Sequence, residues 1–285
     1  MGGQLRSSFP NLPVRPIRCA MKEGDKHHYI PKFYLKQWAG SDGRLCEFSM
    51  PYDTVKPKRV HPEGTGYEPD LYNFNTLPAP ARDTIEKRLF LVADDWASKA
   101  LQRILVGDLN LDRDTRSGWS RFIMSLFHRN PERIAYLRKQ VAEEFPVFVE
   151  GLRVDFEKTR DRNDHRTYEE FRASLGPADI ERMNLRFPRM ILDSPSVGGE
   201  INSMEWGTLQ FHRLAFPLLT SDRPLVMTNG IKHDHGHIIV PISPDQIFFA
   251  ARSKKVVEHF DRICKMPGTA AAFNDRIVSQ ARRFV

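Results

Sequence analysis

The chain has 285 residues, of which 40% are hydrophobic and 11% are aromatic, which excludes an intrinsically disordered protein and allows a sizeable core. No apolar run reaches the roughly 18–20 residues that cross a bilayer, so a membrane-spanning helix is not expected. The net charge of +7 leaves two interpretations open, a solvated surface of mixed charge and a face for nucleic acid or another polyanion.

The N-terminal part is predicted to be a flexible arm that leads into a short helix. Residues 1–25 are rich in Gly, Ser, Pro and Arg and show neither a hydrophobic period nor an apolar signal sequence. The helix is predicted to begin at Pro31, because proline suits the first helical turn, and apolar side chains recur at helical spacing as far as Trp38. The pair His27-His28 would then lie at the start of this helix.

Two short strands and a loop are predicted next. Residues 44–48 alternate between polar and apolar side chains, as a half-buried strand does. Residues 54–60 are basic and contain Pro57, which is typical of an edge strand. Residues 64–74, rich in Tyr and Asp, are predicted to form a loop.

The middle of the chain, about residues 82–195, is predicted to be helical. Asp83 and Glu86 match a capping box at the start of the first long helix. A second helix is predicted to begin near Asp112 and a third at Asn130-Pro131, with Pro146 expected to kink or divide the third. The residues predicted to face the core from these helices are Ile85, Leu89, Val92, Trp96, Ala100, Ile104, Trp119, Phe122, Ile123, Leu126, Phe127, Ile134, Leu137, Val141, Phe145, Phe148, Leu152 and Phe156.

The C-terminal part, about residues 200–255, is predicted to be rich in β-structure. Turn signals such as Asn229-Gly230 separate its apolar stretches. The predicted strands are residues 205–214, 217–219, 224–227, 236–240 and 246–250, and a final helix is predicted over about residues 270–283. These elements predict one α+β domain over residues 26–285, in which the helical middle packs on a mixed or antiparallel sheet built from both ends of the chain.

Five short motifs follow one another along the chain. They are His28-Tyr29-Ile30-Pro31-Lys32-Phe33-Tyr34-Leu35, Tyr72 with Ile85-Glu86, Arg129-Asn130-Pro131, Thr220-Ser221-Asp222-Arg223-Pro224 and Pro241-Ile242-Ser243-Pro244. In order and spacing they resemble a bacterial family called domain of unknown function 4238, from which Arg223 departs because the family pattern has asparagine there. The resemblance implies a single domain and carries no settled activity, so function has to be argued from the residues.

His28 is the first candidate catalytic residue. Adjacent histidines on an extended segment point in opposite directions, so His27 and His28 seldom bind one metal ion together. Because His28 belongs to the opening motif, it is the preferred general base, metal ligand or phosphate contact. The alternative is a histidine that bonds to the backbone and holds the entry to the helix. Tyr29, next to it, is a candidate substrate contact.

Asp222 is the second candidate, at the end of a predicted strand. It would orient His28 or bind a metal ion, whereas the structural alternative is an Asx turn in which its carboxylate accepts backbone N–H groups. Thr220 and Ser221 are candidate substrate contacts. A Ser-His-Asp triad through Ser221 is disfavoured, because no Gly-x-Ser-x-Gly elbow surrounds it.

Arg129 is the third candidate and lies at a predicted helix end. Its planar guanidinium group could bind phosphate or carboxylate in a fork, or could equally satisfy the last carbonyl groups of its own helix. Asp94 and Asp95 flank the apolar face of the first long helix and are interpreted as solvated.

The most conspicuous histidine cluster comprises His233, His235 and His237. Alternating histidines on a strand project to one side and could hold Zn, Ni or Cu. Because they follow Asn229-Gly230, in a predicted hairpin loop, the favoured interpretation is local loop composition.

Two functional hypotheses follow. In the first hypothesis the protein is a hydrolase of a phosphate-containing substrate, and nuclease-like chemistry is one form of this activity. His28 is then the general base or a metal ligand, Asp222 orients His28 or binds the metal, and Arg129 holds the anion. A divalent metal ion is optional. In the second it is a non-catalytic module that binds nucleic acid or protein, and the polar motifs hold the fold. The first requires the three side chains to meet in one cleft. The three cysteines form no CxxC pair, which argues against a disulfide framework or a zinc ribbon and predicts a cytoplasmic protein.

Overall fold

The computed structural model describes residues 26–72, 90–160, 164–192, 194–212 and 214–285. The predicted arm and the predicted capping box of Asp83 and Glu86 lie outside these ranges. The described part has the predicted α+β class: helices occupy the centre, two small sheets lie near the N-terminal end, and a four-stranded antiparallel sheet follows the helices. The prediction of one sheet built from both ends of the chain is wrong, because among the described residues the N-terminal strands pair only with one another.

The elements follow in chain order. The strands are β1 (Lys26–His28), β2 (Leu45–Ser49), β3 (Lys56–Val60), β4 (Tyr67–Pro69), β5 (Glu205–Gln210), β6 (Val226–Thr228), β7 (His237–Ser243) and β8 (Gln246–Ala251). The helices are α1 (Lys32–Leu35), α2 (Leu91–Leu105), α3 (Arg113–His128), α4 (Pro131–Gly151), α5 (Arg153–Thr159), α6 (Tyr168–Ser174), α7 (Pro177–Leu192), α8 (Pro195–Ser203), α9 (Lys254–Ile263) and α10 (Thr269–Gln280).

The four-stranded sheet is covered on both faces. Its strand order is β5-β8-β7-β6, with antiparallel neighbours throughout. All six residues of β8 are buried. On one face Phe248 packs edge-on against Trp119 of α3 at 5.4 Å between ring centroids, and on the other Phe249 packs against Phe260 of α9 at 5.0 Å. This two-sided burial explains why β8 reads as a continuous apolar run without alternation.

Helix α1 attaches the N-terminal segment to the C-terminal sheet. The buried Tyr34 hydroxyl donates to the Pro241 carbonyl at 2.8 Å and shares a hydrogen bond with the Thr220 hydroxyl at 2.7 Å. Trp38 Nε1 donates to the Leu218 carbonyl at 2.8 Å. Tyr34 of α1 and Trp38, which follows this helix, therefore supply hydrogen bonds across the chain as well as apolar area, as buried Tyr and Trp commonly do.

Helices α2 and α3 pack closely because small residues face each other. The side of α2 that is buried is lined by Ala93, Ala97, Ala100, Leu101 and Ile104. A Cβ atom placed on Gly118 of α3 would lie 2.4 Å from Cβ of Trp96. The predicted stripe of α2 was wrong at Val92, which is exposed, because the helix turns its alanine face toward α3.

Several local predictions are confirmed. Asp112 caps α3, where its carboxylate accepts from the backbone N–H groups of Asp114 and Thr115. Asn130 caps α4 and Pro131 is its first residue. Asn229 and Gly230 both have positive φ, and they turn the chain at the start of the loop that joins β6 to β7.

Other predictions are wrong. Residues 217–219 form no strand, because the Leu218 N–H bonds to the Pro244 carbonyl and that of Leu219 to the Asn274 side chain instead of to a sheet. The final helix ends at Gln280, helix α9 was not predicted, and β4 lies inside the predicted loop. Helix α4 continues through Pro146 without a break. Phe127 and Phe148 are exposed although both were predicted to be buried.

Within the described ranges, no helix is long and apolar enough to cross a membrane.

The contact between Gly118 and Trp96 generates a first prediction. Gly118→Ala forces the α2 and α3 backbones apart and should lower the free energy of unfolding by about 1–3 kcal/mol, measured by urea denaturation. The matched control is Gly198→Ala in α8, where an added Cβ atom has no neighbour within 4 Å and stability should be unchanged or slightly higher. Equal effects of the two substitutions would contradict this account of the helix pair.

Candidate functional site

The histidine pair lies on β1, which pairs with β4. His27 is fully buried, its Nδ1 accepts the N–H of Tyr72 at 2.9 Å, and its ring stacks on the Tyr72 ring at 5.4 Å. The His28 ring is half-buried and lies 5.6 Å from the ring of Tyr67. The two side chains have different environments, as alternation along a strand requires, and the His27 ring bonds to backbone.

Arg129 is buried and bonds to two remote segments. Its guanidinium group donates to both carboxylate oxygens of Asp94, at 2.8 and 3.3 Å, and to the His28 carbonyl at 3.1 Å. Burial lowers the pKa of Arg129, but the charge and hydrogen bonds of Asp94, together with Tyr72, more than offset it, so the pKa lies above its ordinary value. The fork predicted for Arg129 thus holds a carboxylate of the same chain, and the interpretation of Asp94 as solvated was wrong.

Asp222 is also buried and holds the C-terminal segment. Its Oδ1 accepts the N–H of Arg282 at 3.0 Å, and its own N–H donates to the Phe284 carbonyl at 3.2 Å. Burial raises its pKa above the ordinary range, and the N–H groups of residues 282–284 offset this only in part. The carboxylate therefore bonds to backbone, although to a segment sixty residues away and not in the local turn considered from the sequence.

The three predicted substrate contacts lie next to these groups and are buried. Thr220 bonds to Tyr34, and the Ser221 hydroxyl accepts the N–H of Arg223 at 3.1 Å. Burial raises the pKa of the Tyr29 phenol, whose ring lies 5.8 Å below the guanidinium group of Arg283. Of the six predicted site residues, Arg129 and His28 are brought into direct contact, through the His28 carbonyl, while Asp222 bonds to a different segment.

A network of charged side chains covers these buried residues. Glu132 in the first turn of α4 accepts from Arg223 and from Arg283, each at 3.2 Å, and Arg283 also pairs with Glu68 of β4. The network joins four parts of the chain that are remote in sequence. Its side chains are each about one-third exposed or more, so its contribution to stability is modest.

Beside this network lies a pocket of about 500 Å³, which we call the arginine pocket. It is lined by Leu126, Phe127, Asn130, Glu132, Arg133, Tyr136, Arg223, Leu225, Ser279, Gln280 and Arg282. The rings of Phe127 and Tyr136 are 45% and 50% exposed, and the guanidinium group of Arg133 lies 5.1 Å from the Tyr136 ring centroid. The pocket thus presents cationic groups beside exposed aromatic faces.

The three arginines of the pocket differ in their ion pairs. Among the residues that the structure describes, neither Arg133 nor Arg282 forms an ion pair, whereas Arg223 pairs with Glu132. In the same part of the chain, the Nε–H groups of Arg133 and Arg223 are buried without an acceptor. Burial, followed by the charge of Arg133, lowers the pKa of His128 to about 4 from 6.5.

These pocket residues were missed by the sequence analysis. Arg223 was noted only as a departure from a family pattern, and Phe127 only as a core residue. The useful signals were weak: the adjacent pair Arg282-Arg283 after a helix, and an arginine two residues after the Asn130-Pro131 helix start. Nothing in the spacing shows that these segments meet.

The histidine cluster His233, His235 and His237 forms no metal site in the described residues, where no group of three or more His, Cys, Asp or Glu side chains could hold an ion. The His233 ring accepts the N–H of His235 at 3.1 Å, and the His237 ring bonds to Thr228. His233 and His235 lie in the loop between β6 and β7, as the favoured interpretation expects, whereas His237 is the first residue of β7.

Comparison with known proteins gives one match. A family model described as "Protein of unknown function (DUF4238)" matches residues 26–285. No curated protein and no solved structure matches the chain.

The pair Arg129–Asp94 generates a second prediction. Asp94→Asn leaves a buried guanidinium group without its counter-charge and should lower the free energy of unfolding by about 3 kcal/mol or more, measured by urea denaturation. Asp95→Asn, the next residue, is the matched control: Asp95 pairs with Lys99 on the exposed face, and its loss should cost less than about 1 kcal/mol. Similar losses in both variants would contradict the structural role of Arg129.

His128 generates a third prediction, on pH dependence. The pKa of His128 is lower in the folded chain than in the unfolded chain, so the unfolded chain binds more protons between pH 4 and 6.5. The contribution of neutral His128 to the free energy of unfolding is therefore present above pH 6.5 and is lost as the pH falls to 4. His128→Gln should reduce the loss of stability over this interval by on the order of 2–3 kcal/mol. Stability at a series of pH values measures this, with exposed His259→Gln as the control; parallel curves for wild type and His128→Gln would refute it.

Proposed function

The chain belongs to the DUF4238 family of proteins of unknown function, and we propose that it is a non-catalytic binding module that holds a phosphate-bearing ligand in the arginine pocket. The observation that carries the proposal is the meeting of three arginines, two of them without an ion pair among the described residues, beside two exposed aromatic rings. Guanidinium groups match the geometry of phosphate oxygens, and aromatic faces match planar bases.

Charge supports this proposal. Three arginines and one glutamate line the pocket, which leaves a net positive charge of two. The pocket also includes Asn130, the N-cap of the 21-residue helix α4, so the positive end of the helix dipole adds to the attraction for an anion. Glu132 opposes it, and two arginines bond to Glu132.

The hydrogen bonds of the candidate catalytic residues support the non-catalytic alternative over the hydrolase. Arg129 bonds to Asp94 and to a backbone carbonyl, and Asp222 bonds to backbone N–H groups. These bonds explain the polar motifs as links between chain segments. The hydrolase, with His28 as base, Asp222 as its partner and an optional divalent metal ion, stays a prediction.

A fourth prediction tests the proposal through binding. Wild type should bind a fluorescent single-stranded oligonucleotide, measured by anisotropy, and pyrophosphate should compete with it. Arg133→Gln and Arg282→Gln should each weaken binding by about tenfold or more, because a charge-assisted hydrogen bond contributes about 1.5–3 kcal/mol, and should flatten the salt dependence.

The matched control is Arg276→Gln, which removes the same charge from an exposed position on α10 that does not line the pocket. It should bind within about twofold of wild type. Undiminished binding by both pocket variants, or no binding by wild type, would overturn the proposal. Turnover of a phosphodiester that is lost in His28→Ala, with binding retained, would establish the hydrolase instead.

A further inference from the structure

A second concave surface lies on the other side of the C-terminal segment. This apolar groove of about 740 Å³ is lined by Phe48, Ser49, Met50, Pro51, Val55, Leu219, Val278, Ala281, Arg282, Arg283, Phe284 and Val285. One wall is the hairpin of β2 and β3, and the other is the end of α10 with the residues that follow it. The groove is thus apolar except at its arginine edge.

Arg282 lines both the arginine pocket and the apolar groove. Its backbone is held in place by Asp222, and Val285 pairs with Phe48 through two backbone hydrogen bonds of 2.8 and 2.9 Å. The segment between the two concavities is therefore anchored at both ends. The exposed guanidinium group of Arg282, which has no ion pair among the described residues, lies where the two concavities meet.

We propose that the ligand is a single-stranded nucleic acid that runs from the arginine pocket across Arg282 into the apolar groove, an inference that rests on the proposed function. A single strand alternates anionic phosphates with planar, largely apolar bases, and this surface alternates in the same way. Bases on Phe127 and Tyr136, a phosphate at Arg282 and further bases along the groove follow the order of groups along the strand, so that a trinucleotide seated in the arginine pocket is too short to reach the groove. Free phosphate or a mononucleotide would use the arginine pocket alone.

The hairpin of β2 and β3, which forms one wall of the groove, continues the alternation of apolar and cationic groups. Tyr52 at its tip is 94% exposed and has a φ of 55°, a left-handed conformation that is uncommon for an aromatic residue. Met50 is 64% exposed. Lys56 and Lys58 on β3 are exposed and form no ion pair with a described residue. An exposed ring on the same hairpin as lysines that pair with no described residue is a composition with which single strands are bound, and these lysines place positive charge on the hairpin that forms one wall of the groove.

The test compares a thymidine trinucleotide with a thymidine dodecanucleotide in binding to the full chain. Wild type should bind the dodecamer at least about tenfold more tightly than the trimer, since only the dodecamer can reach both concavities. Met50→Ser and Tyr52→Ala should each weaken dodecamer binding by at least about threefold and leave trimer and pyrophosphate binding unchanged. Both residues are exposed, so these variants should fold; their melting temperatures verify this.

The matched control is Val106→Ser, an exposed apolar residue at the C-terminal end of α2, which should change neither affinity. Equal binding of the two oligonucleotides, or unchanged dodecamer binding by both hairpin variants, overturns this inference and leaves the arginine pocket as proposed. Loss of binding to palmitate or to vesicles of anionic lipid in these variants, with dodecamer binding intact, overturns it in favour of a lipid site. Failure of wild type to bind pyrophosphate and both oligonucleotides overturns the proposed function itself.

Discussion

The buried carboxylate of Asp222 is the constraint on which the candidate binding surfaces depend. It accepts the backbone N–H of Arg282 and so fixes the segment that separates the arginine pocket from the apolar groove. Burial of a carboxylate is costly, as its raised pKa reflects, and the cost is tolerated only where several N–H groups converge on it. Asp222, a candidate catalytic residue from the sequence, thus also positions a distant backbone segment.

The same logic explains the other polar motifs. Arg129 bonds to Asp94 and to the backbone of β1, and His27 accepts the N–H of Tyr72. Each is a buried polar group that needs a partner and finds it in a segment remote in sequence. Perturbed pKa values at such residues arise from structural networks as well as from active sites, and here the hydrogen-bond partners favour the structural explanation.

The arginine pocket follows from the way these links bring the chain together. Glu132 lies in the first turn of α4. It bonds to Arg223, in the segment after Asp222, and to Arg283, which follows α10. One carboxylate cannot neutralise all the arginines gathered there. Arg133 and Arg282 form no ion pair in the described part of the chain, and they line the pocket with Tyr136 and with Phe127, which the predicted packing would have buried.

The sequence by itself determined the α+β class, the caps of Asp112 and Asn130, the turn at Asn229-Gly230 and the anchoring aromatic residues of α1, because these depend on local backbone sterics and hydrophobic period. Only the tertiary structure decided that Asp94 pairs with Arg129, that Phe127 faces out, and that Arg133, Arg223 and Arg282 share a pocket. The physical reason is that the partner of a charged side chain, and the face of a helix that is covered, are set by segments far away in sequence, about which local spacing carries no information.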